Sequence, residues 1–177
     1  MFVGAGDLRL ATSKDLVSWS MHPEIVLRRE DCPAFASHSI DSGPSPFMSQ
    51  DGIIAILNAT DSYKHGRVFA ALFDSQNPTS CSDIHKNPIL SAQADWEKFG
   101  YQPNVVKATS MIFTGQEFRL YYSGGDRSIG IATSPIPRNF RKTKTSSKSE
   151  VLAAKSKPKA HKARKSKKKT TDKICGV

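Results

Sequence analysis

One unit recurs in this chain: a short apolar strand, a turn built from Gly, Asn or Asp, a second strand and a polar exit. Phe2-Val3-Gly4-Ala5-Gly6-Asp7 followed by Leu10-Ala11-Thr12-Ser13 is echoed by Tyr122-Ser123-Gly124-Gly125-Asp126 followed by Ile131-Ala132-Thr133-Ser134. A weaker middle copy runs from Ile56-Leu57-Asn58-Ala59-Thr60-Asp61 into residues 68–73 and leaves through Ser75-Gln76-Asn77-Pro78. The copies recur about every 60 residues, near the longer blade periods of β-propellers. The repeat therefore predicts an all-β chain holding parts of about three propeller blades. A propeller closes its ring with about 4 to 8 blades, and an open arc of three leaves apolar faces uncovered. A sandwich of about seven strands is the alternative, because it needs no further blades.

The strands themselves are short apolar stretches broken by Gly, Pro, Asn, Asp and Ser, with no sustained helical period. They are predicted at residues 2–3, 8–12, 53–57, 68–73, 111–113, 118–122 and 129–133. Gln50-Asp51-Gly52, Thr114-Gly115-Gln116 and Ser123-Gly124-Gly125-Asp126 supply the tight or left-handed backbone of hairpins, so an antiparallel meander is expected.

Charge divides the chain in two. Of 26 Lys and Arg residues, 15 lie in residues 138–177 against only Glu150 and Asp172, a net +13; the other 137 residues carry 11 basic and 14 acidic side chains, a net −3. The basic pI is thus a property of a C-terminal tail, and it does not make the folded part a nucleic-acid-binding domain. Residues 138–177 have few large apolar side chains and are expected to be disordered, beyond a domain of residues 1–137. Lys162-Ala163-Arg164-Lys165-Ser166-Lys167-Lys168-Lys169 resembles a nuclear-import or polyanion-binding cluster; nonspecific attraction to nucleic acid or another polyanion is the plainer expectation.

No apolar run approaches the roughly 18 residues that cross a bilayer, and no basic n-region precedes an apolar h-region, so a cytoplasmic location is expected, with nuclear import open through the Lys cluster. Cys32, Cys81 and Cys175 are too scattered for a disulfide framework, and neither they nor the five His show metal-ligand spacing. No cofactor and no metal are expected.

Several collinear motifs resemble glycoside hydrolase family 130. These are Asp41-Ser42-Gly43-Pro44-Ser45-Pro46-Phe47 with the Asp51-Gly52 turn, Val68-Phe69-Ala70-Ala71-Leu72-Phe73-Asp74 with Asn77-Pro78, and Pro88-Ile89-Leu90. They continue with Trp96 to Val106, through Glu97, Gly100 and Pro103-Asn104-Val105-Val106, and end with Tyr121-Tyr122-Ser123-Gly124-Gly125-Asp126 before Gly130-Ile131-Ala132-Thr133. The resemblance spans residues 1–137 and implies a partial five-bladed β-propeller that binds a mannoside or other oligosaccharide near the propeller axis. It implies substrate-binding roles for Asp41, Asn58, Glu97, Asn104 and Asp126, with Trp96, Tyr101 and Tyr122 as stacking faces for sugar rings. For Asp126 the residues themselves leave a second reading open, a turn residue capping local amides, since Asp7 has the same setting.

Where the family's phosphorylases carry a Lys and a His for phosphate, this chain has Met48 and Asn58, which offer no positive charge to a dianion. Water in place of phosphate is therefore favoured, with His65 and Arg67 as nearby substitutes. Inverting cleavage needs a general acid; the family's general-acid Asp belongs to a part of the propeller ahead of Met1, so no catalytic residue is assigned. The chain is expected to begin in mid-blade and to be a truncated, mannoside-active propeller of the inverting, glycosidic-bond-cleaving kind, without efficient catalysis if complete as given. The alternatives are a noncatalytic glycan-binding or scaffold module, with self-association covering the open blade edge, or a polyanion-binding protein through the basic tail.

Overall fold

The computed structural model describes residues 1–4 and 6–135. The basic segment, with its expected disorder, its polyanion reading and the domain boundary at residue 137, lies outside the described residues.

Twelve strands form three antiparallel sheets. β1 (Phe2–Gly4), β2 (Leu8–Thr12) and β3 (Ser20–Leu27) make the first. The second has the order β4 (Ser39–Ser42), β6 (Ile53–Thr60), β7 (Gly66–Phe73), β8 (Cys81–Ile84). Two short strands extend it, β5 (Phe47–Met48) on β6 and β9 (Leu90–Ser91) on β7. β10 (Val106–Phe113), β11 (Glu117–Gly124) and β12 (Ser128–Pro135) make the third. Among the described residues helix is confined to α1 (Asp95–Lys98) and two 3-10 turns, Arg29–Asp31 and Ala34–Ala36.

The alternation of a strand, in which successive side chains point to opposite faces, explains how the middle sheet serves two neighbours. Ala55, Leu57 and Ala59 of β6, with Phe69, Ala71 and Phe73 of β7, pack with Phe2, Leu8, Leu10, Val26 and Leu27 of the first sheet. Ile56 and Val68, on the opposite face, pack with Val106, Ala108, Leu120 and Tyr122 of the third. Phe2 and Phe73 meet across the first interface with ring centroids 4.4 Å apart. Burying each such large side chain contributes about 1.5–3 kcal/mol. A sheet buried on both faces reads as a nearly continuous apolar run, which is the pattern of residues 53–59. Three layers, with the middle one covered on both sides, depart from the two-layer sandwich. Among the described residues the third sheet is covered on one face only: Leu120 and Tyr122 point into the core, while Ile129 and Ile131 are 82% and 56% exposed.

All seven expected strands fall within observed ones. Those not expected, β3, β4, β5, β8 and β9, are short, polar or at an edge. β3 contains Pro23, which a strand tolerates where its missing N–H faces away from a partner. Such strands bury too little on either face to show an alternating pattern.

Candidate functional site

The hairpin turns of the three repeat copies lie along one rim. The Ile40 N–H donates to the Gly6 carbonyl (2.7 Å), Ser39 of β4 pairs with Thr60, the Gly66 N–H donates to the Asn104 carbonyl (3.0 Å), and the Gly125 N–H donates to the Val105 carbonyl (2.8 Å). Each turn carries an aspartate, Asp7, Asp61 or Asp126, and the three carboxylates have different employment. Asp7 Oδ1 accepts the Arg29 N–H at 2.9 Å. Asp61 is buried and accepts the N–H groups of Tyr63 (2.9 Å) and His65 (3.0 Å), and its other oxygen accepts from Arg67 Nη1 at 2.7 Å. Burial pushes the Asp61 carboxyl up, but the Arg67 guanidinium and the two amides outweigh it and hold it below its ordinary value. Asp126 stands exposed on a left-handed backbone (φ 53°), and among the described residues its carboxylate has no partner. Its neighbour Gly125 is also left-handed (φ 61°), and a Cβ there would lie 2.8 Å from the Trp96 carbonyl, so the turn requires glycine.

Asn104 is held in the same way (φ 59°). Its carbonyl is occupied by Gly66, while its side-chain amide has no partner among the described residues. The loop carrying it crosses the Asp126 turn, since Gln102 N–H donates to the Gly125 carbonyl at 3.1 Å. Asn104 and Asp126 therefore belong to one loop cluster with unengaged polar side chains.

Glu97 is different in kind. It is 4% exposed and its carboxylate is fully engaged. Oε2 accepts the N–H groups of Gln93 (2.6 Å) and Ala94 (2.9 Å) at the start of α1, and Oε1 accepts the Tyr122 hydroxyl at 2.7 Å. Burial favours protonation, but these three donors, with Lys98 nearby, prevail and hold the carboxyl below its ordinary value. Tyr122 shows the converse: burial and the adjacent Glu97 charge push its phenol up to about 12. A general acid at neutral pH needs a raised carboxyl pKa. Glu97 has the opposite, so it braces the loop as a permanent anion. Tyr122 stacks on Trp96 with centroids 5.8 Å apart, and is buried with no open face for a sugar, whereas Tyr101 is 83% exposed.

Asn58, 6% exposed, joins the second and third sheets. Its Oδ1 accepts the Ala108 N–H (2.7 Å), and its Nδ2 donates to the carbonyls of Ala108 (3.0 Å) and Ser42 (3.2 Å). Ala108 lies opposite Tyr122 on β10, an edge strand of the third sheet, so its N–H and C=O face outward to Asn58; the register shifts just after it. Asp41 pairs with Asn58 in the β4–β6 register, so both side chains are on the face toward the third sheet. The Asp41 carboxylate is half-buried and without a partner among the described residues. Met48 pairs with Ile53, five residues along β6 from Asn58, or about 16 Å at strand rise, so the two positions do not converge on one anion.

Sequence reasoning named His65 and Arg67 at the β6–β7 turn but missed the Lys64–His38 pair beside them. Lys64, itself left-handed (φ 68°), directs Nζ to His38 Nε2 at 2.5 Å, and His65 Nδ1 lies 3.4 Å from Asp61. Arg67, considered as a phosphate ligand, is committed to Asp61. The available signal was the repeat itself, which puts Asp61 where Asp7 and Asp126 sit. Among the described residues no cluster of three or more His, Cys, Asp or Glu is arranged to hold a metal.

Three antiparallel sheets and a polar rim of hairpin turns define an all-β chain of repeated antiparallel units. Of the chain, 78% superposes on 44% of a glycosyl hydrolase from Bacteroides ovatus with a TM-score of 0.69 and 23% identity, a likeness of fold. A beta-1,2-mannobiose phosphorylase from Listeria innocua, solved in complex with beta-1,2-mannobiose, is 26% identical with a TM-score of 0.66, over 83% of this chain and 38% of that one. The model of glycoside hydrolase family 130, described as beta-1,4-mannooligosaccharide phosphorylase, matches residues 1–141, and the chain belongs to that family. A 1,2-beta-oligomannan phosphorylase from Thermoanaerobacter sp. (strain X514) is 32% identical over 126 residues, which are 71% of this chain and 42% of that protein. The chain thus spans less than half the length of the relatives it matches.

Proposed function

We propose that this chain is a mannoside-recognising part of a carbohydrate-active β-propeller, its three sheets being successive blades, and that Asp126, Asn104 and Asp41 contact the sugar. The observation that carries the reading is the contrast among the three turn aspartates. Asp7 and Asp61 are spent on local bonds, while Asp126 is presented without a partner at considerable backbone cost. A left-handed non-glycine residue costs roughly 1 kcal/mol or more, and such conformations concentrate at functional sites. Unengaged carboxylate and amide groups suit sugar hydroxyls, which both donate and accept.

The described residues favour recognition over proton transfer. Glu97 is held ionised and has no proton to give near neutral pH, and the Tyr122 hydroxyl is buried and spent on Glu97. If the chain takes part in cleavage, we propose water rather than phosphate as the acceptor, because neither Met48 nor Asn58 can neutralise a dianion. The names of the relatives suggest β-1,2-linked mannosides as the first ligands to test. Calorimetric titration of β-1,2-mannobiose into the full chain is expected to show binding that weakens in Asp126→Asn. Absence of binding, or binding unchanged by that substitution, overturns the reading. Product analysis with and without inorganic phosphate separates the reactions: mannose alone supports hydrolysis, and mannose 1-phosphate supports the other reading, phosphorolysis, for which the His38–Lys64 pair is the available cationic group.

A further inference from the structure

A cleft at the join of the first and second sheets holds two free thiols. Cys32 follows the 3-10 turn Arg29–Asp31 that leaves the first sheet, and Cys81 opens β8 of the second. Both line one cleft of about 720 Å³, together with Val26, Asp31, Asp83 and Lys86. Both are half-buried and pack against the same apolar cluster, the one that joins the first and second sheets. Sequence spacing hides this juxtaposition, because 48 residues separate the two cysteines. The geometry points to a thiol–disulfide exchange site: we infer that Cys32 and Cys81 form a reversible disulfide that staples the first sheet to the second, with a low-molecular-weight disulfide as the oxidant.

The exchange balances in two steps. The Cys81 thiolate attacks one sulfur of the small disulfide, breaking its S–S bond, forming a mixed disulfide and releasing one small thiolate. The Cys32 thiolate then attacks the Cys81 sulfur, forming the protein disulfide and releasing the second small thiolate. The two cysteine protons end on the two small thiols, so two protein thiols are oxidised and one small disulfide is reduced. Burial, the neighbouring Cys81 and the carboxylates of Asp31 and Asp7 push the Cys32 thiol up to about 12, and burial also raises Cys81. Both are therefore thiols near neutral pH and react through a small thiolate fraction, so the exchange is slow there and quickens about tenfold per pH unit. Lys86 and Arg28, which line the same cleft, are the cations available to an arriving anionic disulfide.

The test is incubation of the full chain with oxidised glutathione at pH 8.5, read by intact mass, peptide mapping and thermal unfolding. The expected result is loss of two protons' mass, a Cys32–Cys81 crosslinked peptide, and a Tm raised by on the order of 10 °C, since the link closes a loop of about 50 residues. Dithiothreitol should reverse all three changes, and Cys32→Ser should abolish the crosslink, leaving at most a glutathione adduct. Cys32 and Cys81 both remaining free while Cys175 is modified, or a crosslink that always includes Cys175, overturns the proposal.

Discussion

Replacing Asn58 by Ala removes three hydrogen bonds, two that cross from the second sheet to Ala108 of the third and one to Ser42 within the second. The Ala108 N–H and C=O lose their side-chain partner in a buried setting, and the Ser42 carbonyl loses a weaker one at 3.2 Å. A buried polar group left without a partner costs about 1–3 kcal/mol, and the three together amount to roughly 3 kcal/mol, because the Ser42 carbonyl is the more accessible. In a domain of this size that corresponds to a fall in Tm on the order of 10 °C. Urea unfolding of the full chain, followed by circular dichroism and by Trp19 and Trp96 fluorescence, measures it; the midpoint should fall with little change in slope. Asn58→Asp sharpens the test. Its carboxylate would face the Ala108 and Ser42 carbonyls that now receive N–H donors, so its folded pKa is raised. An acid with a raised folded pKa is least harmful when protonated, and the destabilisation should grow as pH rises from about 4 to 7. If Asn58→Ala changes stability by less than about 0.5 kcal/mol and instead abolishes mannoside binding, the assignment of Asn58 as a strut is wrong and it is a sugar ligand.

Glu97 has a depressed carboxyl pKa, so its contribution to stability is present above the ordinary carboxylate pKa of 4.5 and is lost as pH falls through the lower folded value. Glu97→Gln should therefore unfold more readily at pH 7 than the parent chain, with the difference shrinking below about pH 4; equal loss at both pH values refutes the ionised-brace role. At Gly124 an added methyl would overlap the Trp96 ring, so Gly124→Ala should cost about 2–3 kcal/mol and alter near-ultraviolet dichroism from the Trp96–Tyr122 stack. Asp126→Asn keeps a residue that tolerates left-handed backbone. It should weaken β-1,2-mannobiose binding about tenfold, or ~1.4 kcal/mol, while Tm moves by no more than a degree or two.

Family membership and the all-β architecture were legible in the chain because both rest on local, repeated signals. Nearly continuous apolar runs at 53–59 and 68–73 and Gly-containing turns at 50–52 and 123–126 specify hairpins from neighbours in sequence. The short or polar strands were not legible, because a strand such as β8 buries little and shows no pattern. The site residues divided on the same physical ground. Whether an aspartate in a turn is spent or available depends on what approaches it from elsewhere: Arg29 for Asp7, Arg67 for Asp61, and no described residue for Asp126. Asn58 reads in sequence as a polar residue ending an apolar strand, yet its partner Ala108 is 50 residues away. Glu97 is a substrate-binding candidate in the sequence, but Tyr122, 25 residues on, closes over it and donates to its carboxylate. The sequence by itself determined which segments extend, where they turn and the family to which they belong, because backbone preference and burial pattern act over a few residues. Tertiary structure alone decided which polar side chains brace the sheets and which remain free for a ligand, because that depends on partners brought together only when the sheets stack.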